Sequence, residues 1–124
     1  MAEQVINLNH DNFESFAPLA LRKLGHDEIF SDVTLVSKEG EGIKAHKVIL
    51  ASFSKMLAKI LVMNEHSNPV IYMNKIDFST LHMLKSFKYY GYATVPTNTV
   101  HDFIRIIGVL RIEGLVEQIA YDQN

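Results

Sequence analysis

The stretch from Asp32 to His46 has the fewest structural options in this chain. Val33 and Leu35 alternate with Thr34 and Val36, and Lys-Glu-Gly-Glu-Gly at 38–42 is turn chemistry. Asp32–Ser37 and Ile43–His46 therefore read as the strands of a β-hairpin. The apolar period then changes. Lys47–Ser52 and Ser54–Met63 read as two short apolar helices with Ser54 as the N-cap between them, and the run Val48, Ile49, Leu50 predicts deep burial. A hairpin leading directly into helices excludes an all-α or all-β design and points to the α+β class.

The rest of the chain extends this pattern. Val5–Leu8 alternates like a short strand, with its partner distant or on another chain. Phe13, Phe16, Ala17, Ala20, Leu21 and Leu24 draw one stripe down a helix that Gly25 can end, with Leu19 off the stripe. Pro18 lacks a donor, so the helix either starts near Ser15 with the proline in its first turn, the favoured reading, or kinks at Pro18. Asn68-Pro69 breaks the chain before a buried strand at Val70–Met73. Asp77 then caps a helix carrying Leu81, Leu84 and Phe87, which turns at Gly91 into a short strand at Tyr92–Val95. Val100, Phe103, Ile104 and Ile107 line a helix that Thr97 or Thr99 can cap, and Leu115, Val116 and Ile119 line a last one. The expectation is one domain over 1–124, core about 8–116, with a helical cluster flanked by a small sheet. The first strand and helix carry a stripe without a local cover, so Val5, Ile6, Leu8, Phe13, Phe16, Ala20 and Leu24 are interface candidates.

Charge and residue types narrow the function. Lys and Arg number 12 against 14 Asp and Glu, so this domain has no electrostatic footprint for direct nucleic-acid binding. Cysteine is absent, which excludes thiolate metal sites and a cysteine nucleophile. No apolar run approaches the roughly 20 residues a membrane span needs, and the polar start MAEQVINLNHDN has no signal core. The six histidines never fall at metal-ligand spacing with a second ligand pair. Ser52 or Ser54 with His46 and Asp32 has a triad's residue types but no nucleophile elbow, so capping explains the serines and a structural hydrogen bond explains His46. Gly40 and Gly42 lie between Glu39 and Glu41, which repel anions, and are turn glycines. Tyr89, Tyr90 and Tyr92 interleave with Lys85 and Lys88, but packing at a helix end accounts for them better than base stacking. No catalytic residue, cofactor or metal is expected, and the chain reads as a non-enzyme.

The segment Phe30-Ser31-Asp32-Val33-Thr34-Leu35, followed after the turn by Ile43-Lys44-Ala45-His46-Lys47-Val48-Ile49-Leu50-Ala51-Ser52, resembles the BTB (POZ) domain. His66–Ile71, Phe87–Gly91 and Leu110–Leu115 are similar to the subgroup heading insect zinc-finger transcription and chromatin-architecture proteins of the Tramtrack and GAGA-factor type. Phe53 stands where the family has a small residue or cysteine. Ile6-Asn7-Leu8-Asn9 replaces the subgroup's tryptophan-bearing first strand.

The resemblance implies the BTB/POZ fold, with the N-terminal strand and helix used for homodimerisation and Asp32 and Lys47 forming a charged pocket at the interface. It further implies a nuclear module that recruits co-regulator or architectural proteins, with association of dimers into larger assemblies left open. The alternative within the family is a substrate adaptor for a cullin-type ubiquitin ligase, for which Met63 and Glu65 would be the contact motif.

Overall fold

The computed structural model describes residues 4–114. It is α+β, with five helices and a three-stranded sheet: α1 (Phe13–His26), β1 (Val33–Val36), β2 (Gly42–Ala45), α2 (Lys47–Phe53), α3 (Lys55–Met63), β3 (Val70–Tyr72), α4 (Phe78–Tyr90) and α5 (Val100–Leu110). The expected hairpin is present, with Val33 opposite Ala45 and Val36 opposite Gly42. Gly40 closes its turn at φ 90°, a conformation that favours glycine. β3 joins the other side of β1 in parallel, giving the order β2-β1-β3.

Alternation along β1 sends Val33 and Leu35 into a core completed by Leu50, Leu57, Leu81, Leu84, Phe103 and Leu110. Ser54 is the N-cap of α3 as expected. Its Oγ accepts from the Leu57 N–H at 3.1 Å and donates to the Leu110 carbonyl at 2.7 Å, tying α3 to α5. Asp77 caps α4 by accepting from the Thr80 N–H at 2.8 Å, and its hydrogen bonding with Thr80 holds the carboxyl below the ordinary aspartate range.

Several expectations are corrected. α1 starts at Phe13 and contains Pro18 in its second turn. No residue of α1 is buried, so the Glu14 carbonyl that loses a helical donor there faces water. Gly25 does not end α1. It lies inside the helix, where a Cβ would come within 2.8 Å of Tyr90 Cε1 and 3.0 Å of Tyr89 Cβ, so glycine is required for the close approach of α1 to α4.

Only Leu50 of the run 48–50 is fully buried, while Val48 is exposed, because successive helical residues point about 100° apart. β3 is an edge strand with Val70 and Tyr72 exposed, and the buried side chain is Met73 just beyond it. Thr99 precedes α5, but its hydroxyl accepts from no N–H of the helix and donates instead to the Pro96 carbonyl. Neither Val5–Leu8 nor Tyr92–Val95 is a strand, because neither finds a ladder partner among the described residues. The helix expected from Leu115 lies outside the described residues.

Candidate interaction surface

The large apolar side chains left in water concentrate in the first quarter of the chain. Val5, Ile6, Leu8, Phe13, Phe16, Leu19, Ile29 and Phe30 are all exposed. Of the stripe residues, Ala20 is exposed and Leu24 half-buried, so the stripe is covered only where the end of α1 reaches α4. There the His26 ring lies 5.1 Å from that of Tyr90. At the other end the His10 ring stands over Phe13 and Phe16, with centroids 5.6 and 5.0 Å apart, and this is thin shelter for two aromatic rings. An amphipathic helix held at one end, with its apolar stripe in water, has the composition of an interface.

A polar lock fixes the segment between α1 and β1. The buried Tyr89 hydroxyl accepts from the His46 backbone N–H at 3.0 Å and lies 2.9 Å from His46 Nδ1. His46 Nε2 lies 3.0 Å from the Ile29 carbonyl. A carbonyl only accepts, so Nε2 carries a proton, and in the neutral imidazole Nδ1 is then the acceptor to which the Tyr89 O–H donates. Burial pushes the Tyr89 hydroxyl up to about 12. Phe30 follows Ile29 inside the turn closed by the Ser31 N–H on the Glu28 carbonyl at 3.2 Å, adopts φ 64° and is 85% exposed. A left-handed phenylalanine costs on the order of 1–2 kcal/mol and here holds a large ring in solvent. Sequence reasoning identified His46 as a structural hydrogen-bonder but missed Ile29, Phe30 and the Tyr89 partner. Nothing local in a sequence reports a contact spanning 43 residues.

Asp32 and Lys47 are brought together, though not as an ion pair. Asp32 Oδ1 accepts from the backbone N–H of Lys47 at 2.8 Å, capping the first turn of α2, while the Lys47 ammonium donates to the His66 carbonyl at 2.7 Å. The expected charged pair is thus a backbone cap and a separate cation, because the orphan N–H at a helix start competes for the carboxylate. Asp32→Asn keeps an acceptor and is expected to cost under about 1 kcal/mol, Asp32→Ala about 1–2 kcal/mol. In a denaturant cycle on the monomeric fold, Lys47→Gln should add to Asp32→Asn within about 0.5 kcal/mol. A coupling above that would restore a direct pair.

Ser52 Oγ donates to the Ile49 carbonyl, so the hydroxyls and imidazole of the nominal triad are each committed elsewhere. Met63 closes α3 and is exposed, and Glu65 follows in an exposed loop. With Ile60 and Asn64 they line a shallow concavity. Among the described residues no three His, Cys, Asp or Glu side chains gather as a metal site, and no helix is long and apolar enough to cross a membrane.

Comparison with known proteins agrees with this geometry. Residues 21–123 match the family described as BTB/POZ domain. The chain is 36% identical over 117 residues to Broad-complex core protein isoforms 1/2/3/4/5 of Drosophila melanogaster, covering 94% of this chain and 16% of that protein. It is 32% identical over 117 residues to Protein tramtrack, alpha isoform, also of Drosophila melanogaster, covering 94% of this chain and 14% of that protein. The chain therefore spans less than a fifth of the length of these relatives. Among solved structures, the BTB domain of human gigaxonin matches with a TM-score of 0.71 at 23% identity, covering 89% of this chain and 90% of that one, a likeness of fold.

Proposed function

Because the chain belongs to the BTB/POZ domain family, a family of protein-interaction modules, we propose that it is the homodimerising, non-enzymatic interaction domain of a nuclear transcription or chromatin-architecture regulator. The observation that carries this reading is α1: fourteen residues, none buried, with an apolar stripe facing water. A second copy supplies the missing cover. Two such helices packed stripe to stripe, with Phe30 of each copy against the other, remove from water the apolar surface that one chain leaves bare.

Val5–Leu8 and Tyr92–Val95 both have strand composition and no ladder partner. Pairing the first segment of one copy with the second segment of the other satisfies both sets of backbone groups. The seam between the copies then offers an extended groove for co-regulator or architectural peptides. Dimerisation also doubles the valency of the zinc-finger region that the subgroup resemblance places elsewhere in such a protein. Light scattering at micromolar concentration tests the reading: twice the 14.1 kDa chain mass is expected, and a clean monomer mass overturns it.

Exposure of Met63 and Glu65 favours one rival, a cullin-ligase adaptor. A hydrophobic-any-glutamate triplet recurs easily by chance, and here Met63 is accounted for as the last residue of α3. No tight binding to a cullin N-terminal region is expected by calorimetry. Submicromolar binding that Glu65→Ala abolishes would move the assignment to the adaptor.

A further inference from the structure

A cavity of about 270 Å³ opens between the end of α1, β2 and α4, lined by Gly25, Glu28, Ile43, His82, Lys85 and Tyr90. Lys85 reaches it from α4. Its Nζ donates to the Lys44 carbonyl of β2 at 2.7 Å and lies 5.2 Å from the Tyr89 ring centroid. The side chain is half-buried between these partners. Burial lowers its pKa below the ordinary lysine range, and the Glu28 carboxylate opposes that with a smaller pull upward. The charged and titratable groups around the cavity are Glu28 before β1, which lies 3.9 Å from Lys44 Nζ of β2, then His82, Tyr89 and Tyr90 on α4, with His26 of α1 beyond them against the Tyr90 ring.

We propose that Lys85 is an acylation site that takes the acyl group of a small acyl phosphate within this cavity. The Nζ lone pair forms a bond to the acyl carbonyl carbon, the acyl C–O bond breaks, and phosphate leaves with the electron pair. The proton lost from Nζ goes to water. Three features suit the site to the product. The cavity beside the amine has room for a short acyl chain, and Gly25 and Gly42 in its wall add no side chain. The amide formed keeps one N–H, which continues to serve the Lys44 carbonyl. The cation that burial penalises is removed, so desolvation favours the neutral product over the ammonium.

The test is site-resolved mass spectrometry of the full chain treated with limiting acetyl phosphate near pH 7.5 (about half a unit above neutrality). Lys85 is expected to acquire label ahead of the exposed Lys23, Lys59 and Lys75, although it is less accessible than any of them. Its lead should shrink as the pH rises to about 10, where exposed amines also become free. Glu28→Gln, at an exposed residue, removes the carboxylate that favours the ammonium and should speed labelling of Lys85 while leaving Lys59 unchanged. Far-UV circular dichroism checks that the variant is folded. Labelling that follows exposure at both pH values, with Lys85 last, overturns the proposal, as does a Lys85 rate that Glu28→Gln does not raise.

Discussion

Phe16→Asp is expected to convert a dimer into a folded monomer, whereas Leu19→Asp, three residues along the same helix, leaves the dimer intact. Both side chains are exposed in the single chain, so exposure cannot distinguish them. Their positions on α1 can: Phe16 lies on the stripe with Phe13, Ala20 and Leu24, and Leu19 lies off it. An interface of the size that makes a monomer hard to populate buries about 2,000 Å² or more. A carboxylate forced into the apolar part of such an interface without a partner costs several kcal/mol, and about 4 kcal/mol weakens association roughly a thousandfold.

No core side chain depends on Phe16, whose ring neighbour is His10 at 5.0 Å, so the sheet and the α2–α5 core should persist in the variant. Light scattering with far-UV circular dichroism reads both consequences. Wild-type melting should also shift upward with protein concentration, because association stabilises only the folded chain. A Phe16→Asp variant that remains a folded dimer would place the interface elsewhere.

Much of the fold was legible because it is locally encoded. The hairpin follows from alternation and a glycine turn, the Ser54 and Asp77 caps from residue type and position, and the α1 stripe from its spacing. The failures at Gly25, at the two unpaired strand segments and at the Asp32–Lys47 pair share a cause, since each depended on a distant neighbour. Gly25 looked like a helix stop but is a packing glycine, a role that requires knowing that Tyr89 and Tyr90 press against it. Val5–Leu8 and Tyr92–Val95 have strand composition, but a strand needs a ladder, and composition cannot supply one. Asp32 and Lys47 were paired by charge, whereas the carboxylate goes to a backbone N–H that exists only because α2 starts there. For the interaction surface, the stripe was readable, but the left-handed Phe30 was not, since it lies in a turn, closed by the Ser31 N–H on the Glu28 carbonyl, whose Ile29 carbonyl meets a histidine 17 residues away.

That pin yields the second large effect. Tyr89→Phe is expected to cost about 2–4 kcal/mol, because it leaves two buried groups of His46, the backbone N–H and the bare Nδ1, without the hydroxyl that serves both. The apolar packing of the ring is retained, so the loss isolates the hydrogen bonds. The same hydroxyl governs an alkaline limb. Its folded-state pKa of about 12 lies above the ordinary tyrosine value of 10.0, so the fold favours the neutral phenol. This contribution is fully present below about pH 10 and is lost as pH rises through about 12, at a limit of 1.36 kcal/mol per unit.

Wild-type stability should therefore fall between about pH 10 and pH 12 more steeply than that of Tyr89→Phe, which has no phenol to ionise at this position. Denaturant unfolding across that range measures both quantities. The lock also fixes Ile29, so the variant should loosen the segment carrying Phe30 and weaken self-association beyond what the stability loss accounts for. A cost under about 1 kcal/mol, with superimposable alkaline limbs, would show that the Tyr89 hydroxyl is solvated and that His46 is held by Ile29 alone.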